Sequence, residues 1–115
     1  MWQSFVNWFK NLFGIKPQIH HEENGLWWQK DHDTVKIGLD SKIIDELGDI
    51  TFLDTPQVDD QVQKDDQIID IEGGKAVETF NSPFAGKIIN VRSEFQDDPS
   101  LLSGQKDPVL VTVEI

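Results

Sequence analysis

The sequence contains no cysteine and one methionine, Met1. No disulfide can staple the fold, and no thiolate can bind a metal. Redox chemistry would therefore have to come from a group attached to the chain. No apolar run approaches the ~20 residues of a membrane span. The N-terminus lacks a basic region followed by a small-residue cleavage site, so a cytoplasmic location and no membrane partner are expected. Positive charge is scarce, with 10 Lys and Arg against 21 Asp and Glu, and all of the acids follow residue 21. Such a surface repels phosphate backbones, which argues against nucleic acid, and suits basic patches on other proteins. Also missing are a Gly-x-Ser-x-Gly elbow, a phosphate-binding loop and a His-Glu-x-x-His pair. A catalytic set of the chain's own is not expected, so the protein reads as a non-enzyme.

What is present fits one small folded domain. The chain has 115 residues, 37% hydrophobic and 27% charged, a balance that excludes wholesale disorder. Residues 2–13 predict an amphipathic helix, with Trp2, Phe5, Val6, Phe9, Leu12 and Phe13 on one face and Gly14 and Pro17 ending it. A helix this short needs a surface to bury that face, either the domain's own sheet or a partner. The expected division is therefore residues 1–17 as helix and linker and 18–115 as the domain proper. Within 18–25, His20-His21-Glu22-Glu23 has metal-ligand chemistry, but adjacent side chains diverge on any regular backbone, so a solvated connector is expected.

From residue 26 the pattern is mainly β. Leu26–Gln29 and Thr34–Leu39 predict a hairpin around Asp31-His32-Asp33. Asp40 or Ser41 is expected to cap a short helix over 42–47 that Gly48 closes. Strands follow at Ile50–Leu53, Gln67–Ile71, Val77–Phe80 and Gly86–Val91, with Val62 in a short extended piece. Asp98 is expected to cap a short helical turn that Pro99 opens and Gly104 ends. In the last segment Val109, Val111, Val113 and Ile115 alternate as a half-buried closing strand does. Many short strands with regular turn signals indicate a sandwich or small barrel.

The candidate functional residue is Lys75, within Glu72-Gly73-Gly74-Lys75-Ala76-Val77. Two glycines between apolar runs predict a tight hairpin, with positive φ available at no steric cost. Lys75 then stands at or beside the tip, exposed, with its ammonium at the end of a flexible stem. Pattern alone leaves it an accessible lysine, solvated or modified.

The wider sequence resembles the H-protein family of the glycine cleavage system, relatives of the lipoyl and biotinyl carrier domains. Leu47-Gly48-Asp49-Ile50-Thr51-Phe52 is similar to the family's Leu-Gly-Asp-Ile-Val-Phe, and Pro56 and Val58 follow as they do there. Glu72-Gly73-Gly74-Lys75-Ala76-Val77 resembles the lipoylation motif Glu-Ser-Val-Lys-Ala-Val. Ser82-Pro83-Phe84-Ala85-Gly86-Lys87-Ile88-Ile89 resembles Ser-Pro-Val-Ser-Gly-Glu-Val-Val, and Asp97-Asp98-Pro99-Ser100-Leu101-Leu102 resembles Asp-Ser-Pro-Glu-Leu-Val. The matches are collinear from about Leu26 to Ile115.

The resemblance implies a lipoyl-domain-like flattened barrel of two small sheets, with lipoate bound covalently to Lys75. It implies that Glu72 is read by the lipoate-attaching ligase or transferase, and that the protein is a monomer carrying an aminomethyl group among the glycine cleavage enzymes. Biotin carriers flank their lysine with methionine, whereas Gly74 and Ala76 stand here. The sequence also departs from the family, with Lys106-Asp107-Pro108-Val109-Leu110 where Tyr-Gly-x-Gly-Trp-Leu is usual. That departure leaves open an H-like protein outside glycine cleavage, a lipoyl relay or stress scaffold associated with sirtuin and macrodomain enzymes. Asp70, Glu72 or Glu78 would there be candidates for ADP-ribosylation by proximity to Lys75. A carrier fold kept purely as an interaction module, without lipoylation, is the alternative of another class.

Overall fold

The computed structural model describes residues 17–115. The amphipathic helix expected over 2–13, and with it most of the 1–17 division, lies outside the described residues. Among the described residues no helix is long and apolar enough to cross a membrane.

The expected hairpin forms from β2 (Leu26–Asp31) and β3 (Thr34–Leu39), closed by the two residues His32 and Asp33. His32 takes a left-handed conformation, φ 59°, which histidine, like Asn and Asp, adopts more readily than most non-glycine residues. Upstream, Ile19–His21 corrects the reading of 18–25 as a connector. These residues form an antiparallel edge strand, β1, in register with Trp27–Gln29. All three are exposed, so no hydrophobic periodicity announced the strand; backbone pairing and His20 stacked on Trp28, ring centroids 4.1 Å apart, hold it.

Helix α1 (Ser41–Leu47) follows, with Ile44 and Leu47 buried. Its capping differs from expectation. Asp40 occupies the N-cap position but makes no side-chain cap bond, because its carboxylate pairs with His21 at 3.0 Å. The Ser41 N–H donates instead to the carboxylate of Asp107, at 2.8 Å, and the Asp107 N–H donates to Ser41 Oγ at 3.0 Å. A distant loop thus satisfies one of the helix's orphan donors.

The remaining strands are β4 (Ile50–Asp54), β5 (Gln61–Val62), β6 (Gln67–Gly73), β7 (Val77–Asn81), β8 (Gly86–Val91) and β9 (Val109–Glu114). They form two sheets, one ordered β1-β2-β3-β9-β8-β5 and the other β4-β6-β7. Between them lies one core, including Leu26, Ile37, Leu39, Leu47, Ile69, Ile71, Phe80, Ile88 and Val113. The mainly β, two-sheet architecture expected from the turn spacing is therefore the one observed. Helix α2 (Ser93–Asp97), a single turn with only Phe95 buried, was too short to register as a period. The helical turn opened by Pro99 is a 3-10 turn, Pro99–Leu102, and Asp98 stands at its N-cap position without a side-chain cap bond, its carboxylate accepting from the Ser100 hydroxyl instead.

Register irregularities decide several faces. In β9 the shift between Ile37 and Gly38 pairs Gly38 with Val109 and Ile37 with Val111. Leu110 becomes the extra residue and is buried, while Val109 is only partly so, which departs from the strict alternation expected. In β6 a shift between Gln67 and Ile69 lets Ile68 and Ile69 both enter the core.

Two successive six-residue units, Gln57-Val58-Asp59-Asp60-Gln61-Val62 and Gln63-Lys64-Asp65-Asp66-Gln67-Ile68, fold alike. In each the second Asp N–H donates to the Gln carbonyl, at 3.0 and 3.1 Å. In each that Asp's carboxylate accepts the Gln N–H at 2.8 Å. Asp59 and Asp65 lie at φ 78° and 74°, the third position of a type II turn. The two turns lead into β5 and β6, the second of which carries the chain toward Lys75.

Candidate functional site

Strands β6 and β7 pair from Gln67↔Asn81 to Glu72↔Val77, and the Gly73 N–H donates to the Ala76 carbonyl at 2.9 Å. Gly74 and Lys75 are therefore the two residues at the hairpin tip, where the sequence placed them. Lys75 is exposed, and among the described residues it forms no ion pair.

The role expected of the glycines changes. Neither Gly73 nor Gly74 has positive φ, and neither does Lys75. Two-residue hairpins usually use left-handed turns; this one instead directs its amides outward, onto the end of α1. The Lys75 N–H donates to the Leu47 carbonyl at 2.9 Å, and the Gly74 N–H donates to the Asp49 carbonyl at 3.0 Å. A Cβ on Gly73 would lie 2.1 Å from the Leu47 carbonyl oxygen. Gly73 is thus a site of close backbone approach, whereas a Cβ on Gly74 would meet nothing within 4 Å.

The left-handed glycine of the site is Gly48, at φ 82° and ψ −154°, a region essentially confined to glycine. The Lys75 stem runs over it, with Cγ 3.2 Å and Cδ 3.5 Å from where a Gly48 Cβ would sit. The site is therefore an exposed lysine whose backbone is strapped to Leu47 and Asp49 and whose stem crosses a bare glycine. Leu47 and Asp49 act through their carbonyls, which no side-chain pattern reveals. The sequence did show Gly48 as a helix terminator.

The three acids singled out near Lys75 are placed differently. Glu72 is exposed, three residues before the lysine, between Phe52 of β4 and Val77 of β7. Asp70 is half-buried and accepts a hydrogen bond from Thr79 Oγ1 at 2.6 Å. Glu78 is exposed, but opposite Ile71 and so on the other face of its strand from Val77. The histidines lie elsewhere, His21 against Asp40 and His20 against Trp28. Among the described residues no three His, Asp or Glu side chains are grouped to hold a metal ion.

The site fits an acyl group on Lys75. The amine is exposed, a Cβ on the neighbouring Gly74 would find open space, and Gly48 leaves the stem unobstructed.

Comparison with known proteins gives a consistent family. A family model described as glycine cleavage H-protein matches residues 17–110. The glycine cleavage system H protein of Listeria monocytogenes serotype 4b (strain F2365) is 36% identical over 89 residues, covering 77% of this chain and 71% of that protein. That of Bifidobacterium longum is 32% identical over 90 residues, covering 78% of this chain and 66% of that protein. The chain therefore matches about two-thirds to seven-tenths of these relatives' length. The fold is also that of a solved glycine cleavage system H protein from Mycobacterium marinum, with a TM-score of 0.75 at 22% identity over 87% of this chain and 85% of that one.

Proposed function

The chain belongs to the glycine cleavage H-protein family, and on that premise we propose that it is a lipoyl carrier whose attachment site is Lys75, serving glycine cleavage. The observation that carries this reading is the strapped hairpin tip. Lys75 N–H and Gly74 N–H are tied to Leu47 and Asp49, so the lysine's backbone is fixed while its side chain is exposed. An attaching enzyme then meets one defined loop, and the order of that loop need not be supplied by binding.

When attached, lipoate supplies a disulfide that cycles to a dithiol, a function this cysteine-free chain has no side chain to provide. The chain's own residues do the presenting. Lys75 Nζ gives up its charge on forming the amide, Gly48 leaves the stem free to swing, and Glu72 stands exposed on the adjoining strand as the acid read by the lipoate-attaching enzyme. The protein acts as a carrier among partner enzymes, as a cytoplasmic monomer, and performs no turnover of its own.

Intact-mass analysis with peptide mapping tests this directly. Co-expression with a lipoate ligase in the presence of lipoate should add one lipoyl group, located on Lys75 and absent from Lys75→Arg. Attachment at another lysine, or none, overturns the proposal.

A further inference from the structure

Beside Lys75, the three-stranded sheet exposes a large aromatic side chain, and a backbone irregularity puts it there. In β4, Ile50 points into the core, so strict alternation would turn Phe52 inward and Leu53 outward. The opposite is observed, with Leu53 5% exposed and Phe52 45% exposed. The register of β4 on β6 shifts between Ile50 and Phe52, leaving Thr51 as the extra residue of a bulge. A one-residue slip exchanges the faces of everything beyond it.

Phe52 consequently joins a row across the sheet. It lies opposite Glu72, which lies opposite Val77, the latter 64% exposed. The two apolar side chains flank the carboxylate on adjoining strands, about 10 Å apart at the spacing of sheet strands. The next row on this face is Asp54, Asp70 and Thr79. Asp54 and Asp70 are directly opposed, an arrangement that like charges disfavour. None of Asp54, Asp70 and Glu72 has an ion-pair partner among the described residues. The face thus combines unneutralised carboxylates with two exposed apolar groups, at the foot of the hairpin that ends in Lys75.

We propose that this face, centred on Phe52, Glu72 and Val77, is the docking surface for the enzyme that acylates Lys75. The partner meets it with an apolar seat rimmed by arginine or lysine. Its charge is the complement of a face that carries three acids, and its position is set by Val77, which a single residue, Ala76, separates from the lysine. The inference rests on Lys75 being the acylated residue. The aromatic and aliphatic groups supply contact area, while the carboxylates fix register and speed encounter.

The test follows steady-state acylation of the full-length chain by a purified lipoate ligase supplied with lipoate and ATP, read by intact mass, with calorimetric binding of the unmodified chain to the ligase alongside. Phe52→Ser with Val77→Ser should raise the carrier's KM about tenfold or more and weaken calorimetric affinity in parallel, with kcat within about twofold. Val77→Ser alone and Asp54→Lys, both at exposed positions, give folded single variants that should move KM the same way. The wild-type KM should rise with salt, and less so in Asp54→Asn. Ile19→Ser, as exposed as Phe52 but in the other sheet, should change nothing. Unchanged KM and affinity in the double variant of confirmed fold overturn the proposal. So does a wild-type dimer in sedimentation that Phe52→Ser dissociates, since the face would then be occupied by a second copy. A wild-type chain that stays unmodified overturns the reading of Lys75 itself, and this one with it.

Discussion

The N–H of Lys75 donates to the carbonyl of Leu47 at 2.9 Å, across 28 residues of sequence. That bond makes the tip of a β-hairpin part of a helix terminus, and the surrounding glycines follow from it. Gly73 admits the Leu47 carbonyl, and Gly48 admits the lysine stem.

Gly73→Ala and Gly74→Ala should therefore differ in sign. A Cβ at Gly73 collides with backbone 2.1 Å away and should destabilise by about 1–3 kcal/mol. At Gly74 there is open space and no positive φ, so alanine should be neutral or stabilise by up to about 1 kcal/mol. Urea midpoints at constant slope measure both. Equal losses would contradict the close-approach account.

Lys75→Arg should leave stability within about 0.5 kcal/mol, as expected for an exposed side chain without an ion-pair partner among the described residues. On the proposed attachment at Lys75, the same variant should also remove the lipoyl increment. Thermal melts beside mass spectra separate the two effects, and a large fall in melting temperature would mean that the side chain has a structural duty.

The twin aspartate turns offer a gain in stability. Asp59 and Asp65 hold left-handed backbone, φ 78° and 74°, where an L-residue is disfavoured by roughly 1–2 kcal/mol and Asp somewhat less. Asp59→Gly and Asp65→Gly should each raise stability by about 0.5–1 kcal/mol, and the double variant by near the sum. The caps from Asp60 and Asp66 are untouched. A loss in calorimetric melts would show that the side chains contribute more than the backbone strain.

Asp107→Ala should remove about 1 kcal/mol, because its carboxylate accepts the first free N–H of α1. Asp107→Asn should keep much of that, having an acceptor oxygen and tolerating the left-handed φ of 45°. Chemical denaturation of the two variants is the check, and equal behaviour would count against the cap.

The Arg92 guanidinium, hydrogen-bonded to Glu94, holds that carboxyl below its ordinary range. A depressed pKa in the folded state stabilises at pH above the unfolded value and stops doing so as pH falls through the folded one. Both side chains are substantially exposed, so the effect is small and salt-screened. A carboxyl-detected NMR titration should find Glu94 back in the usual range in Arg92→Gln. An identical titration in both proteins would remove Arg92 as the cause.

Much of the fold was legible because its signals are local. Leu26–Leu39 reads as a hairpin from its apolar runs and polar turn, and the Gly73-Gly74-Lys75 tip reads in the same way. The repeated Gln-x-Asp-Asp-Gln units at 57–68 are an equally local signal, one turn written twice in the sequence. β1 and α2 were missed for an identifiable reason. Three exposed strand residues and one helical turn bury too little to impose a period.

By itself the sequence determined the positions of the strands with a buried face and of their turns, the acidity of the surface and the lysine at the hairpin tip, since turn chemistry and alternation act over a few residues. Only the tertiary structure decided which atoms these elements meet. The slip at Thr51 that turns Phe52 outward depends on how β4 aligns with β6. The cap on α1 comes from Asp107, 66 residues away. The need for glycine at position 73 lies in the carbonyl of Leu47. Each of these is a backbone or register relation between distant segments, and no side-chain pattern encodes it until the sheets have paired.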